Sequence, residues 1–150
     1  MVSMVDAAAL VWAFQDAHAR FRAAVDGLDG AALTRTLGDE TNSIAVLVTH
    51  ALGNERWVLA TLAGRPEPRD RAAEFAVRVE SAAPLLEALA EADARAAELL
   101  PRIGQAALER AHAEVDGLSG RQWLLRCFGH MREHAAHAEL TRQVLANRGR

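Results

Sequence analysis

A chain of 150 residues, 51% of them hydrophobic and 25% charged, has the make-up of one globular domain spanning 1–150 and can bury most of a single core. The formal charge of −3 argues against a nucleic-acid partner held by phosphate contacts, since such domains carry a strongly basic balance. All 17 basic residues are arginine and there is no tyrosine, which excludes a Schiff-base lysine, a phosphate-loop lysine and a tyrosine acid.

Cys127 is the lone cysteine, so there is no intrachain disulfide and no cysteine-cluster metal site. Residues 1–10 contain Asp6 and lack a basic segment followed by a long apolar run, so they do not read as a signal peptide. No stretch approaches the ~18 uninterrupted apolar residues of a membrane span. These features predict a soluble, cytoplasmic protein with no membrane partner.

Gly, Pro and Asp signals separate four helical stretches. The first runs from about Met4 to Val25 and stops at Asp26-Gly27, with Leu10, Phe14, Ala17, Phe21 and Val25 in one apolar stripe and Trp12 and His18 to its side. The second follows Thr41-Asn42-Ser43, good capping residues, and ends at Gly64 before Pro66 and Pro68; Ile44, Leu47, Ala51, Val58 and Leu62 mark its buried face. The third starts near Ser81, with Pro84 in its first turn, and ends before Pro101; Leu85, Leu89, Ala92, Ala96 and Leu99 line it. The fourth begins near Ser119-Gly120 and runs to about Ala146, closing at Asn147 and Gly149. Strand signals are weak, and residues 74–80 offer at most a short extended piece. Four striped helices of roughly 20 residues, each about 30 Å long, predict an all-α four-helix bundle. Links of about 17 residues after the second and third helices allow crossover connections.

The fourth helix holds His130, Glu133, His134 and His137. At about 100° per residue, Glu133 with His137 and His130 with His134 are both four-residue pairs that can reach one ion from one helix, and His134 with His137 is a looser three-residue pair. A third ligand must come from elsewhere. His50, inside the apolar run that starts at Ile44, is the best candidate. Two imidazoles and a carboxylate leave positions open for water or substrate, which suits a catalytic site. Elsewhere, His112 reads as surface, His18 as a surface or hydrogen-bonded core residue, and Cys127 as a buried small hydrophobe or a reactive thiol on the side of His130 and His134. Trp57 reads as core or pocket wall, and Glu55 as a solvated charge or a carboxylate that fixes an imidazole tautomer.

The run from Asn42 to His50 followed by Asn54-Glu55-Arg56-Trp57, together with the stretch from Gly129 to Leu140, resembles the second and last helices of the DinB-like metal-binding bundles. Within that family it is similar to the branch of mycothiol-dependent maleylpyruvate isomerases, with Glu-x-x-x-His in the last helix. The resemblance maps the metal ligands to His50, Glu133 and His137; a shifted alignment would select His130 with His134. It departs from many members in having Ala138-Glu139-Leu140 after His137.

The resemblance implies a divalent metal (zinc, nickel, iron or manganese) and a thiol-dependent transferase or isomerase, or a metal-dependent hydrolase, acting on a small-molecule substrate. In the thiol-dependent case a low-molecular-weight thiol serves as cosubstrate, and no protein group beyond the metal ligands is catalytic. The competing expectation is a non-catalytic bundle that forms a homodimer or binds a partner, with a vestigial metal site.

Overall fold

Apolar residues at three- and four-residue spacing give each long helix a buried stripe, and the stripes close on a common core. The computed structural model describes residues 4–148. The expected closure at Gly149, and positions 1–3 of the stretch read for a leader, lie outside the described residues. The first helix, α1 (Met4–Val25), buries Phe14, Ala17, Phe21 and Val25. The link that follows contains α2 (Gly30–Thr34), capped by Asp29, whose carboxylate accepts the Ala32 N–H at 2.8 Å. Helix α3 (Ile44–Leu62) starts where the capping triplet predicts, with Ser43 Oγ accepting the Val46 N–H at 3.2 Å. It stops at Gly64, whose φ of +76° is left-handed, and the Arg65 N–H turns back to the Ala60 carbonyl at 2.8 Å.

Next come α4 (Arg71–Ala76), capped by Asp70, and α5 (Ala83–Leu99), with Pro84 in its first turn. A 3₁₀ turn (Leu100–Arg102) leads to α6 (Gln105–Glu109), and the chain finishes with α7 (Gly120–Arg148). The extended piece expected at 74–80 is instead half helix, because Asp70 accepts the Ala73 N–H at 2.9 Å and starts α4 there. Strand structure among the described residues is limited to an antiparallel pair, Ala111–His112 with Leu118–Ser119, and an isolated bridge between Asp29 and Ser81.

Helices α1 and α3 each pack against both α5 and α7, while α1 and α3 barely meet. The order around the bundle is therefore α1, α5, α3, α7, and the links 26–43 and 100–119 cross its diagonals. The crossover expected after the third long helix is present. The one expected after the second moves to the first link, because the segment 63–82 spends its length on α4, which folds back onto α3, and so joins neighbouring helices. One histidine also sits deeper than its sequence context suggests: His112 is only 1% exposed, its Nε2 donating to the Ala107 carbonyl at 2.8 Å beside Trp123. His18 is fully buried, the hydrogen-bonded core alternative of its two readings. The small antiparallel pair folds this polar link inward against the start of α7. No helix among the described residues is long and apolar enough to cross a membrane.

Gly120, the first residue of α7, makes this closure possible, since a Cβ there would stand 2.2 Å from the Ala107 carbonyl oxygen. Gly120→Ala is expected to lower stability to urea by about 1–3 kcal/mol, whereas Gly38→Ala, at a position with open space, has little effect. Equal unfolding midpoints for the two variants would show that α6 and α7 do not need this close approach.

Candidate metal centre

His50 lies in the middle of α3 and is 8% exposed. Its Nδ1 stands 2.9 Å from Glu74 Oε2. The carboxylate can only accept, so Nδ1 carries the proton and Nε2 keeps a free lone pair. Arg69 holds the same carboxylate from the other side, with Nε 2.8 Å from Oε1 and Nη2 2.9 Å from Oε2. Burial acts to raise the Glu74 pKa, but the bonds from Arg69 and His50 outweigh it and leave the carboxyl below its usual range. Glu74 reaches His50 over Gly53, where a Cβ would stand 2.1 Å from Oε1. The Phe75 ring packs 4.6 Å from the His50 ring, centroid to centroid.

Helix α7 brings two more imidazoles to the same point. His130 Nε2 lies 3.1 Å from His50 Nε2 and 2.9 Å from His134 Nε2. One ring nitrogen of each histidine lies within 4.8 Å of those of the other two. Nitrogen ligands about 2.1 Å from a common ion stand about 3.0–3.4 Å apart, so the observed spacing fits a divalent cation. The donor chemistry fits as well. A proton can bridge only two of the three nitrogens, and the buried Nδ1 atoms of His130 and His134 have no partner. Burial first, then the imidazoles of His134 and His50, push His130 down to about 4; burial, then His50 and His137, do the same to His134. Both rings are neutral near pH 7, the form that binds metals.

Glu133 and His137 are exposed and stand outside this group, although the His137 ring lies 5.9 Å from that of His134. The reason is helical phase. The buried face of α7 runs through Leu124, Cys127, Met131, Ala135 and Ala138. Measured round the helix from Met131, His134 is about 60° away, His130 about 100°, His137 about 120° and Glu133 about 160°, which turns Glu133 away from α3. His137 is no further round than His130 by much, but it is two turns along the axis from it, beyond the level of His50.

A cleft of about 250 Å³ opens onto His50 and His130, with Asn54, Trp123 and Cys127 among its walls. The Cys127 thiol is buried, and burial, reinforced by the charge of Glu55, pushes its pKa well above the ordinary thiol range. Trp57 packs behind the wall, edge-on to Trp123 at 5.0 Å. Glu55 is 1% exposed and is not a solvated charge. It does fix an imidazole, but that of His18, whose Nε2 lies 2.7 Å from Glu55 Oε2 and whose Nδ1 lies 2.7 Å from Asp93 Oδ1. Burial acts to lower the His18 pKa; the two carboxylates outweigh it and raise it. Sequence reasoning missed Glu74 and Arg69, which lie in a link where no periodicity marks them.

Fold and site together define a crossed helical bundle that gathers three imidazoles from two helices. The chain belongs to the DinB superfamily, whose family model matches residues 13–138. A conserved protein from Enterococcus faecalis superposes with a TM-score of 0.79 at 16% identity, over 93% of this chain and 96% of that one. YfiT from Bacillus subtilis, described as a probable metal-dependent hydrolase with an unusual four-helix bundle topology, superposes with a TM-score of 0.72 at 15% identity, over 97% of this chain and 91% of its own. At such identities the likeness is one of fold. No curated protein sequence matches the chain.

The lowered imidazole pKa values give a pH dependence with a definite sign. Between about pH 6.5 and about 4 the unfolded chain protonates His130 and His134 while the folded chain does not. Metal-free protein should therefore lose stability as pH falls through that window, and His130→Gln with His134→Gln should flatten the loss. His18, raised in the folded state, acts in the opposite sense and is untouched by these substitutions. A pH–stability curve identical in the double variant would contradict the buried, neutral cluster.

Proposed function

We propose that His50, His130 and His134 hold one divalent cation and that the protein is a metal-dependent hydrolase acting on a small molecule in the adjoining cleft. The observation that carries this reading is the convergence of three Nε2 atoms, with neighbouring separations of 2.9 and 3.1 Å. A cation bound there supplies Lewis acidity, polarising a substrate carbonyl and making a nucleophile of water near neutral pH. The protein's own part is to keep the donors fixed and unprotonated. Glu74 sets the His50 tautomer, Arg69 holds Glu74, and burial keeps His130 and His134 neutral. An all-imidazole set suits zinc, nickel or iron better than manganese, which prefers oxygen ligands.

The second reading is the thiol-dependent transferase or isomerase branch. It is favoured by Cys127, whose buried, high-pKa thiol leaves any attacking thiolate to be supplied by a low-molecular-weight cosubstrate. Turnover of an ester and electrophile panel with and without added thiol separates the two readings.

Untagged protein should carry about one ion per chain, by analogy with single three-ligand sites. His50→Ala, His130→Ala and His134→Ala should each lose it, and Glu133→Gln and His137→Ala should keep it. Metal retained in the first three and lost in the last two would transfer the site to the other pair on α7. Glu74→Gln and Gly53→Ala should weaken metal affinity about 10–100-fold while leaving the helical spectrum intact, because both remove the carboxylate's hold on His50.

A further inference from the structure

The cleft beside the three histidines contains three arginines, Arg69, Arg71 and Arg126, and no acidic side chain lines it. Arg69 is neutralised by Glu74. Arg71 and Arg126 make no ion pair among the described residues, although Arg20, Arg95 and Arg132 elsewhere on the bundle are matched by Glu139, Glu67 and Asp16. In a chain with a formal charge of −3, two uncompensated guanidinium groups therefore meet at one 250 Å³ opening. Arg71 is also held in place. Its guanidinium lies over the Phe75 ring, 4.9 Å from the centroid, and Phe75 in turn packs on His50. Arg126 precedes His130 by one turn of α7, so it projects from the same side of that helix. Trp123, three residues earlier, adds a buried aromatic wall.

We infer that this cleft recognises the substrate by an oxyanion group, a carboxylate or a phosphate, which Arg71 and Arg126 receive while the organic body lies against Trp123 toward the histidines. Guanidinium groups bind such anions through paired charge-assisted hydrogen bonds, and a partly enclosed pocket screens the attraction less than open surface does. The inference rests on the metal-centre reading for what the anchored molecule is brought to, but the anion pocket itself does not require the ion.

The test is calorimetric titration of the full chain with inorganic phosphate and with succinate, on chelator-treated and on metal-loaded protein. Saturable binding of at least one probe is expected in both forms, weakening as salt rises. Arg71→Gln with Arg126→Gln should weaken it about tenfold or more, and Arg35→Gln, in the link before α3, should not. Both pocket arginines are exposed, so the double variant should keep its fold and its metal stoichiometry, checked by circular dichroism and ion analysis. Binding of phosphate alone assigns a phosphoryl group, and binding of succinate alone assigns a carboxylate. Absence of saturable binding to chelator-treated protein, or equal affinity in the double variant, overturns the inference even if the ion is bound. Arginine-dependent anion binding by protein that takes up no metal would uphold the pocket and defeat the metal-centre reading alone.

Discussion

Glu74 and His50 come from different helices, and the 2.9 Å bond between them determines which imidazole nitrogen faces the interior. With Nδ1–H committed to the carboxylate, Nε2 is left bare and pointed at His130. Were the tautomer reversed, a proton would occupy the point on which the other two rings converge. The bond in turn depends on the missing side chain at Gly53 and on the fork of Arg69, which offsets the cost of burying a carboxylate. The arrangement is thus built by a short helix that returns onto α3, with His50, Gly53, Arg69 and Glu74 all taking part in it.

The crossed topology has a related effect. Because α1 and α3 occupy one diagonal, α3 lies between α5 and α7, with its histidine side against α7 and the His18–Glu55 contact on another. The link 63–82 has no diagonal to cross, so its residues are free to close over the site. A simple up-and-down order would place consecutive helices side by side and leave the three links equivalent.

Much of the fold was legible in the sequence, because stripes of Phe14, Ala17, Phe21 and Val25, or of Ile44, Leu47, Ala51, Val58 and Leu62, have only one way to be buried. Helix starts were legible too, through Ser43 and Pro84. Which helices are neighbours was not, since each stripe is compatible with several partners. At the site, His50 and the histidine-rich stretch of α7 were visible, but the rotation of α7 decides which pair faces α3. That rotation could have been read from Cys127, Met131, Ala135 and Ala138, whose common face places Glu133 nearly opposite. Glu74 could not be found by any local rule, as its role comes from a contact across 24 positions with His50, and Arg69 takes its own role from holding Glu74.

The trio of buried His18 and Glu55 with the partly exposed Asp93, to which Arg22 is also bonded, joins α1, α3 and α5 at a single level. Much of the remaining interface is alanine, valine and leucine, and faces so alike tolerate sliding along their length. A slip of one turn, about 5.4 Å, would carry His18 away from both carboxylates and strand that of Glu55 in the interior. The trio therefore works as an index mark for axial alignment. Because Glu55 and His50 share α3, the same mark sets the height of His50 relative to α1, and the Arg20–Glu139 and Arg132–Asp16 pairs carry that alignment on to α7.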